Sequence, residues 1–236
     1  MPDLFTAQQL ADYLQLSKRT IYRLVERNQI PAVRVGGQWR FPKSAVDYWL
    51  DMRLSALPSS DLNVLQAEAA ESALALSETL ADANALIAIP AGEKSDVVRE
   101  FVARVEFPEP VDRDLVARRV LEREGLCSTA MPGGVAVLHT ARWEPRVLRV
   151  HDVVAVGRLS IPIDFEALDG GRTGVLVLIL ARNERSHLVL LSKMTRLCQE
   201  AAFVRQLTAA RSAGDVRALV TEFERTVFHA PHPTGA

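Results

Sequence analysis

A histidine lies at the end of an apolar run that follows a glycine-rich turn. His139 comes directly after Val135–Leu138, and that run follows Pro132-Gly133-Gly134. A buried strand holds the side chain at its end in a fixed direction, where it can still face solvent. Imidazole acts there as a nucleophile or proton carrier near neutral pH. Taken alone, the position of His139 fits one of these two roles, or a purely structural histidine.

Residues of matching chemistry lie on both sides of His139. They are, in chain order, Arg123, Ser128 and Thr129, and later His187 followed by Leu190-Leu191-Ser192. Together with the segment PIDFEALDGG at 162–171, this order resembles the fructose/mannitol/nitrogen-type enzyme IIA domain of the phosphotransferase system. The similarity covers roughly residues 83–228, well over half of the chain.

The resemblance implies a role for each of these side chains. His139 would accept a phosphoryl group from the carrier protein HPr or its nitrogen-branch paralogue, so that the protein is at most a phosphoryl-transfer carrier as an enzyme. His187 and Arg123 would line the same pocket as catalytic partners, and Ser128 and Thr129 would bind the phosphate. This chemistry needs no metal and no cofactor, and we expect neither.

The chain departs from the family pattern at two places. Leu138 stands where the family has a proline before the histidine, and residues 127–134 read CSTAMPGG where the family has GSTGIGNG. Both changes adjoin His139 in sequence. They predict an altered pocket wall.

Charge is distributed unevenly along the 236 residues, although the net charge is only −1. Residues 1–54 carry eight Lys and Arg against five Asp and Glu, whereas residues 55–82 carry five acidic residues and no basic ones. A basic head before an acidic connector predicts that the head faces double-stranded DNA.

The head has the pattern of a helix-turn-helix with a wing. We predict helices at 7–14 and 18–27, capped by Thr6 and Ser17, then a Gly-Gly hairpin at 33–41 and a closing helix at 44–52. This layout resembles the excisionase-type, MerR-like winged helix-turn-helix domain over nearly all of residues 3–52. The resemblance implies DNA contacts from the second helix and the wing by Lys18, Arg19, Thr20, Tyr22, Arg23, Arg34, Gln38 and Arg40.

The connector has one apolar stripe at helical spacing. Residues 61–80 predict a helix whose stripe runs from Leu65 to Leu80. The stripe could pack on its own C-terminal domain, or two copies could pair and make a homodimer; the sequence does not decide between them. The tail at 229–236 is predicted to be disordered.

The C-terminal body alternates helices and apolar strands. Strands are predicted at 86–89, 135–138, 153–159 and 175–180, and helices at 95–105, 112–124, 186–197, 200–209 and 213–228. The predicted fold class is therefore α/β: a winged helix-turn-helix, a connector helix and an α/β sandwich with a mixed sheet. The corresponding domains are 1–54, 55–82 and 83–228, followed by the tail.

Other patterns exclude further classes of protein. The two cysteines, Cys127 and Cys198, have neither the spacing of a zinc site nor that of a disulfide framework. No apolar run reaches membrane-spanning length and no signal peptide is evident, so we expect a cytoplasmic protein without membrane contact.

Three functions fit these features. The first is a transcription regulator whose enzyme IIA-like domain senses the state of the phosphotransferase system. The second is a nitrogen-type phosphocarrier that acts on protein partners, with the head as an adaptor. The third is a degenerate sensor that is not phosphorylated. The near-complete DNA-binding module favours the first.

Overall fold

The computed structural model describes residues 4–14, 16–27, 30–42, 45–46, 49, 74–141, 147–167 and 169–228. The chain divides into two compact units, residues 1–68 and 69–236. Most of the predicted closing helix at 44–52, the first part of the connector helix and the tail at 229–236 lie outside the described residues. The domain boundaries proposed from the sequence stay a prediction.

The described residues of the first unit include two short helices and a three-stranded antiparallel sheet of order β1-β3-β2. Its elements are β1 (Leu4–Phe5), α1 (Ala7–Leu14), α2 (Lys18–Glu26), β2 (Val33–Val35) and β3 (Gln38–Pro42). Its apolar contacts include Leu10, Leu14, Ile21 and Phe41, each almost fully buried. The helix-turn-helix and the wing hairpin are therefore both present.

Both predicted helix caps of this unit are formed. The Gln9 side chain accepts the Thr6 N–H at 2.9 Å, while the Thr6 hydroxyl accepts the Gln9 N–H at 3.2 Å. This reciprocal pair is the capping box that satisfies N–H groups at a helix start. The Ser17 hydroxyl accepts the Thr20 N–H at 3.1 Å and caps α2 in the same way.

The second unit consists of a five-stranded mixed sheet with helices on both faces. Its strands are β4 (Ile87–Ile89), β5 (Ala130–Met131), β6 (Val135–His139), β7 (Val153–Asp164) and β8 (Arg172–Leu180). Its helices are α3 (Leu76–Thr79), α4 (Lys94–Arg104), α5 (Arg113–Glu124), α6 (Glu184–Gln199), α7 (Ala201–Ala209) and α8 (Ala213–Phe228). The predicted α/β sandwich is confirmed.

The strand order is β4-β7-β8-β6-β5. β6 pairs with β8 in parallel and β7 pairs with β8 antiparallel, so the sheet is mixed as expected. Alternate residues of β6 point to opposite faces. Ala136 and Leu138 pack into the core beneath α4 and α5, whereas His139 lies on the other face, against α6.

The connector ends differently from the prediction. Instead of one helix to Leu80, the described part forms only the short α3, after which Leu80 bridges to Val154 and a 3-10 helix follows at Asp82–Asn84. Leu76 and Leu80 are buried within the second unit. This end of the apolar stripe therefore packs on its own domain, and the homodimer stays a prediction.

A buried ion pair holds the start of α3. Lys193 on α6 and Glu224 on α8 have side chains only 1% and 4% exposed, with 3.4 Å between Nζ and Oε1. Lys193 Nζ also donates to the Leu74 carbonyl at 2.8 Å. The Glu224 carboxylate accepts the N–H groups of Leu76 and Ser77 at 2.8 and 3.1 Å. The two charges thus replace the helix cap that α3 lacks.

Candidate functional site

His139 is the last residue of β6 and its side chain is buried. Its Nδ1 lies 2.9 Å from the Val137 carbonyl oxygen. A carbonyl only accepts hydrogen bonds, so Nδ1 carries the ring proton and the lone pair lies on Nε2. Only 3% of the residue is exposed, which corrects the expectation that it faces solvent. The backbone of β6 therefore determines which ring nitrogen carries the lone pair.

Arg123 lies in the last turn of α5 and is 2% exposed. Its Nε donates to His139 Nε2 at 3.2 Å, and its Nη1 donates to the Cys127 carbonyl at 2.9 Å. Because arginine only donates, the contact agrees with a neutral His139 whose lone pair is on Nε2. A guanidinium is thus placed against the atom that would carry a phosphoryl group.

His187 approaches the same place from the first turn of α6. Asn183 caps this helix by accepting the Ser186 N–H at 2.8 Å, so the helix begins two residues earlier than predicted. The ring centroids of His187 and His139 are 5.7 Å apart at an angle of 54°. Two buried imidazoles and an arginine from three different elements therefore meet, as the sequence order indicated.

Ser128 and Thr129 lie on the loop beside Arg123, but their hydroxyl groups point to protein acceptors. Ser128 donates its hydroxyl to the Phe165 carbonyl. Thr129 donates both its hydroxyl, at 2.6 Å, and its N–H, at 3.0 Å, to Glu124 Oε2. Their predicted contact with phosphate stays a prediction, because both hydroxyl groups donate to protein acceptors in this structure.

Two charged residues next to this loop were not singled out by the sequence analysis. Glu124 is 4% exposed, and its Oε1 lies 2.9 Å from Lys94 Nζ. Lys94 also binds Glu166 at 2.9 Å and lies over the Phe165 ring. Burial opposes the charge of Lys94, but the two carboxylates outweigh it and raise its pKa above the usual value. In the sequence, only the position of Glu124 directly after Arg123 could have indicated that it lies at the site.

Leu138 and His139 are neighbours on β6 and their side chains point to opposite faces of the sheet. The Leu138 side chain is fully buried in the core beneath α4 and α5. The effect of this departure on the pocket wall stays a prediction. The turn before β6 requires glycine at position 133, because φ there is +92° and a Cβ would lie 2.7 Å from Val204 Cγ1.

The first unit presents cations on α2 and on the wing. Lys18, Arg19, Tyr22 and Arg23 are exposed on α2, opposite the buried Ile21 and Val25. Thr20 is half-buried, and its hydroxyl is 2.9 Å from that of Ser17, so it belongs to the helix cap.

On the wing, all three predicted residues interact with one another or with Trp39. Arg34 lies 5.0 Å over the Trp39 ring. Arg40 donates to the Gln38 side chain at 2.8 Å and to the Trp39 carbonyl at 3.0 Å. These contacts hold the two guanidinium groups on the hairpin, where stacking on an aromatic ring restricts an arginine without removing its charge.

Two classes of site are not found where the structure can be described. Within the described ranges, no group of three or more His, Cys, Asp or Glu side chains is arranged to hold a metal ion. Among those same residues, no helix is long and apolar enough to cross a membrane.

Comparisons with known proteins agree with the division into two units. Residues 4–53 match a family described as a helix-turn-helix domain. Residues 83–223 match the family described as "Phosphoenolpyruvate-dependent sugar phosphotransferase system, EIIA 2". The class of protein is therefore a helix-turn-helix DNA-binding domain of the excisionase type fused to an enzyme IIA domain. The chain belongs to this enzyme IIA family, whose model spans more than half of it.

Individual relatives match one unit or the other. A nitrogen regulatory protein of Bradyrhizobium diazoefficiens is 30% identical over 130 residues, covering 54% of this chain and 82% of that protein. A Mycobacterium tuberculosis protein named as DNA-binding is 42% identical over 48 residues, 20% of this chain and 62% of its own. The crystal structure of nitrogen regulatory protein IIA-Ntr from Neisseria meningitidis shares the fold, with a TM-score of 0.55, 24% identity and coverage of 61% and 98%.

Proposed function

We propose that this protein is a DNA-binding transcription regulator whose enzyme IIA domain accepts a phosphoryl group on His139 from an HPr-type carrier. One observation carries the proposal: His139 Nε2 holds a lone pair, and the Arg123 guanidinium lies 3.2 Å from it with His187 beside it. A nucleophile with a cationic donor against it and a second imidazole beside it suits phosphoryl transfer, which depends on positioning and on charge stabilisation.

The transfer balances without an additional proton acceptor. The Nε2 lone pair forms the new P–N bond while the P–N bond of the carrier's phosphohistidine breaks. The carrier ring, protonated on its other nitrogen, takes the bonding pair and leaves as a neutral imidazole. His139 keeps its Nδ1 proton, which the Val137 carbonyl accepts at 2.9 Å and so stabilises the positive ring. Arg123 then pairs with the phosphoryl oxygens.

The head supplies the DNA-binding half of the proposal. Exposed Lys18, Arg19 and Arg23 on α2 would approach double-stranded DNA, and Arg34 and Arg40 on the wing would contact its backbone. Phosphate contacts give affinity and salt dependence, whereas base contacts from α2 would give sequence preference.

Removing two α2 cations tests this docking. In the Arg19→Ala/Arg23→Ala double variant we expect weaker binding to a DNA site selected with the full chain. The slope of log K against log salt should flatten by about 2, because each phosphate contact contributes about one unit. Fluorescence anisotropy across a salt series measures both. Arg118→Ala/Arg205→Ala removes two exposed cations from the second unit and is the matched control. Equal salt slopes for both double variants would contradict the docking.

The proposed coupling between phosphorylation of His139 and DNA affinity is tested by a separate experiment. Phosphorylation adds about two negative charges at the pocket, which can change partner or dimer contacts and thereby shift DNA affinity. Phosphorylated and unmodified protein are compared on the selected DNA site, and we expect a change in Kd of about fivefold or more. Identical affinities, with phosphorylation verified by intact mass, would leave phosphoryl acceptance in place and reject the coupling.

A second candidate function rests on the burial of His139, taken together with the same Arg123 contact. His139 is 3% exposed, and its Nε2 already accepts the Arg123 N–H, so an incoming phosphorus atom must displace that contact. This closed geometry favours a sensor that binds a ligand or a partner without being phosphorylated. The two candidates differ in one property, the uptake of phosphoryl groups from an active donor.

A further inference from the structure

Glu124 is a buried carboxylate that follows Arg123 directly in the chain. Its Oε2 accepts the N–H and the hydroxyl of Thr129 at 3.0 and 2.6 Å, and its Oε1 lies 2.9 Å from Lys94 Nζ. A buried carboxylate is costly unless donors compensate it, and the same hydrogen bonds fix the groups that donate them. Glu124 therefore orders the chain at Thr129.

The loop between α5 and β5 is fixed at three consecutive residues. The Cys127 carbonyl accepts a hydrogen bond from Arg123 Nη1. The Ser128 hydroxyl donates to the Phe165 carbonyl, and the Thr129 hydroxyl donates to Glu124. The guanidinium is planar, so an acceptor for Nη1 also sets the direction of Nε. Because Nε points to His139 Nε2, the loop conformation determines how Arg123 faces the nucleophile.

Lys94 supplies the compensating charge from a third element, α4. It binds both Glu124 and Glu166 at 2.9 Å, and its side chain is 26% exposed. A phosphoryl group on His139 would carry a charge close to −2. Without Lys94, the buried Glu124 carboxylate would lose its counter-ion, and an uncompensated negative charge would remain on the residue next to Arg123.

We propose that Glu124 and Lys94 are positioning residues that hold Arg123 and the 127–129 loop ready for phosphoryl transfer to His139. This inference rests on the proposed function. Neither residue contacts the transferred group; both act through Arg123 and the loop. Glu166 is the other partner of Lys94, but its side chain is 76% exposed and takes part in none of the loop contacts described above, so we assign it no such role.

The test compares phosphoryl uptake by the full-length wild type with uptake by four variants: Glu124→Gln, Lys94→Met, Lys94→Arg and Glu166→Gln. Potassium phosphoramidate is the donor, because its P–N bond breaks with release of ammonia and no carrier surface is needed. The mass of the intact protein, measured at successive times, gives the rate of phosphoryl uptake. For Glu124→Gln and Lys94→Met we expect uptake about 10-fold slower or more, as for other residues that orient reacting groups. Lys94→Arg keeps the charge and should restore most of the rate, and Glu166→Gln should stay within about twofold of wild type.

Thermal melting of each variant separates positioning from loss of fold. If Glu124→Gln does not fold, Lys94→Met decides, because that side chain is partly exposed. Folded variants that take up phosphoryl groups at the wild-type rate would overturn the positioning role and leave the proposed function intact. The same rate loss in Lys94→Arg as in Lys94→Met would also overturn it. A wild type that takes up no phosphoryl group from phosphoramidate or from an active carrier would reject the proposed function, and the positioning role with it.

Discussion

The His139→Ala variant is expected to take up no phosphoryl group under conditions in which the wild type gains one. The imidazole supplies the only predicted nucleophile of the site, and in the proposed function its Nε2 is the atom that would form the new bond. Alanine leaves the β6 strand intact, because backbone pairing with β8 does not need the ring. Intact-protein mass after incubation with phosphoenolpyruvate, enzyme I and an HPr-type carrier measures the effect.

The two other histidines of the described region provide graded controls. His187→Ala removes a ring 5.7 Å from the acceptor, and loss of one stabilising donor typically slows a transfer by about 10²-fold. His151 is exposed and precedes β7, so His151→Ala should behave as wild type. The added group should be labile in acid, as expected for a P–N bond. A mass gain that persists in His139→Ala would assign the phosphoryl group to another residue.

Replacing Lys193 with methionine is expected to destabilise the second unit by about 3–5 kcal/mol. The change leaves the Glu224 carboxylate buried at 3% exposure without its counter-ion and removes the donor of the Leu74 carbonyl. For a unit of this size, the melting transition should fall by roughly 6–20 °C. Differential scanning calorimetry of the full chain measures this shift.

A double variant tests whether charge is the cause. In Lys193→Met/Glu224→Gln no uncompensated charge remains, while glutamine still accepts from the start of α3, so part of the lost stability should return. Arg217 lies on the same helix as Glu224 and forms an exposed ion pair with Asp82 of the 3-10 helix, so Arg217→Ala should cost less than about 1 kcal/mol. A Lys193→Met protein that melts within about 2 °C of wild type would show that the pair does not stabilise the fold.

Local patterns in the sequence were sufficient to predict much of the fold. The capping box of Thr6 and Gln9 and the Ser17 cap formed as expected, because a cap depends on residues only three apart. The central strands were found from their apolar runs. The strands β1 and β5 were not predicted, because two residues are too few to show the alternation that identifies a strand.

The order of residues along the chain was sufficient to predict only part of the site. The meeting of Arg123, His139 and His187 was expected from a resemblance in chain order, and the structure brings the three together. The compensation of Glu124 by Lys94 was not predicted, since the two residues are 30 positions apart and only the packing of α4 on α5 joins them. For the same reason, the residue types of Ser128 and Thr129 did not predict that their hydroxyl groups donate to other protein groups.

Helix α6 connects two places that lie far apart in the chain. His187 is near its beginning, and Lys193, about 9 Å further along its axis, holds the carbonyl of Leu74. A helix of this length is stiff, because every turn is closed by its own hydrogen bonds. His187 and Lys193 are therefore joined by a rigid element, so a displacement of His187 along the helix axis would also displace Lys193 and its hydrogen bond to the Leu74 carbonyl.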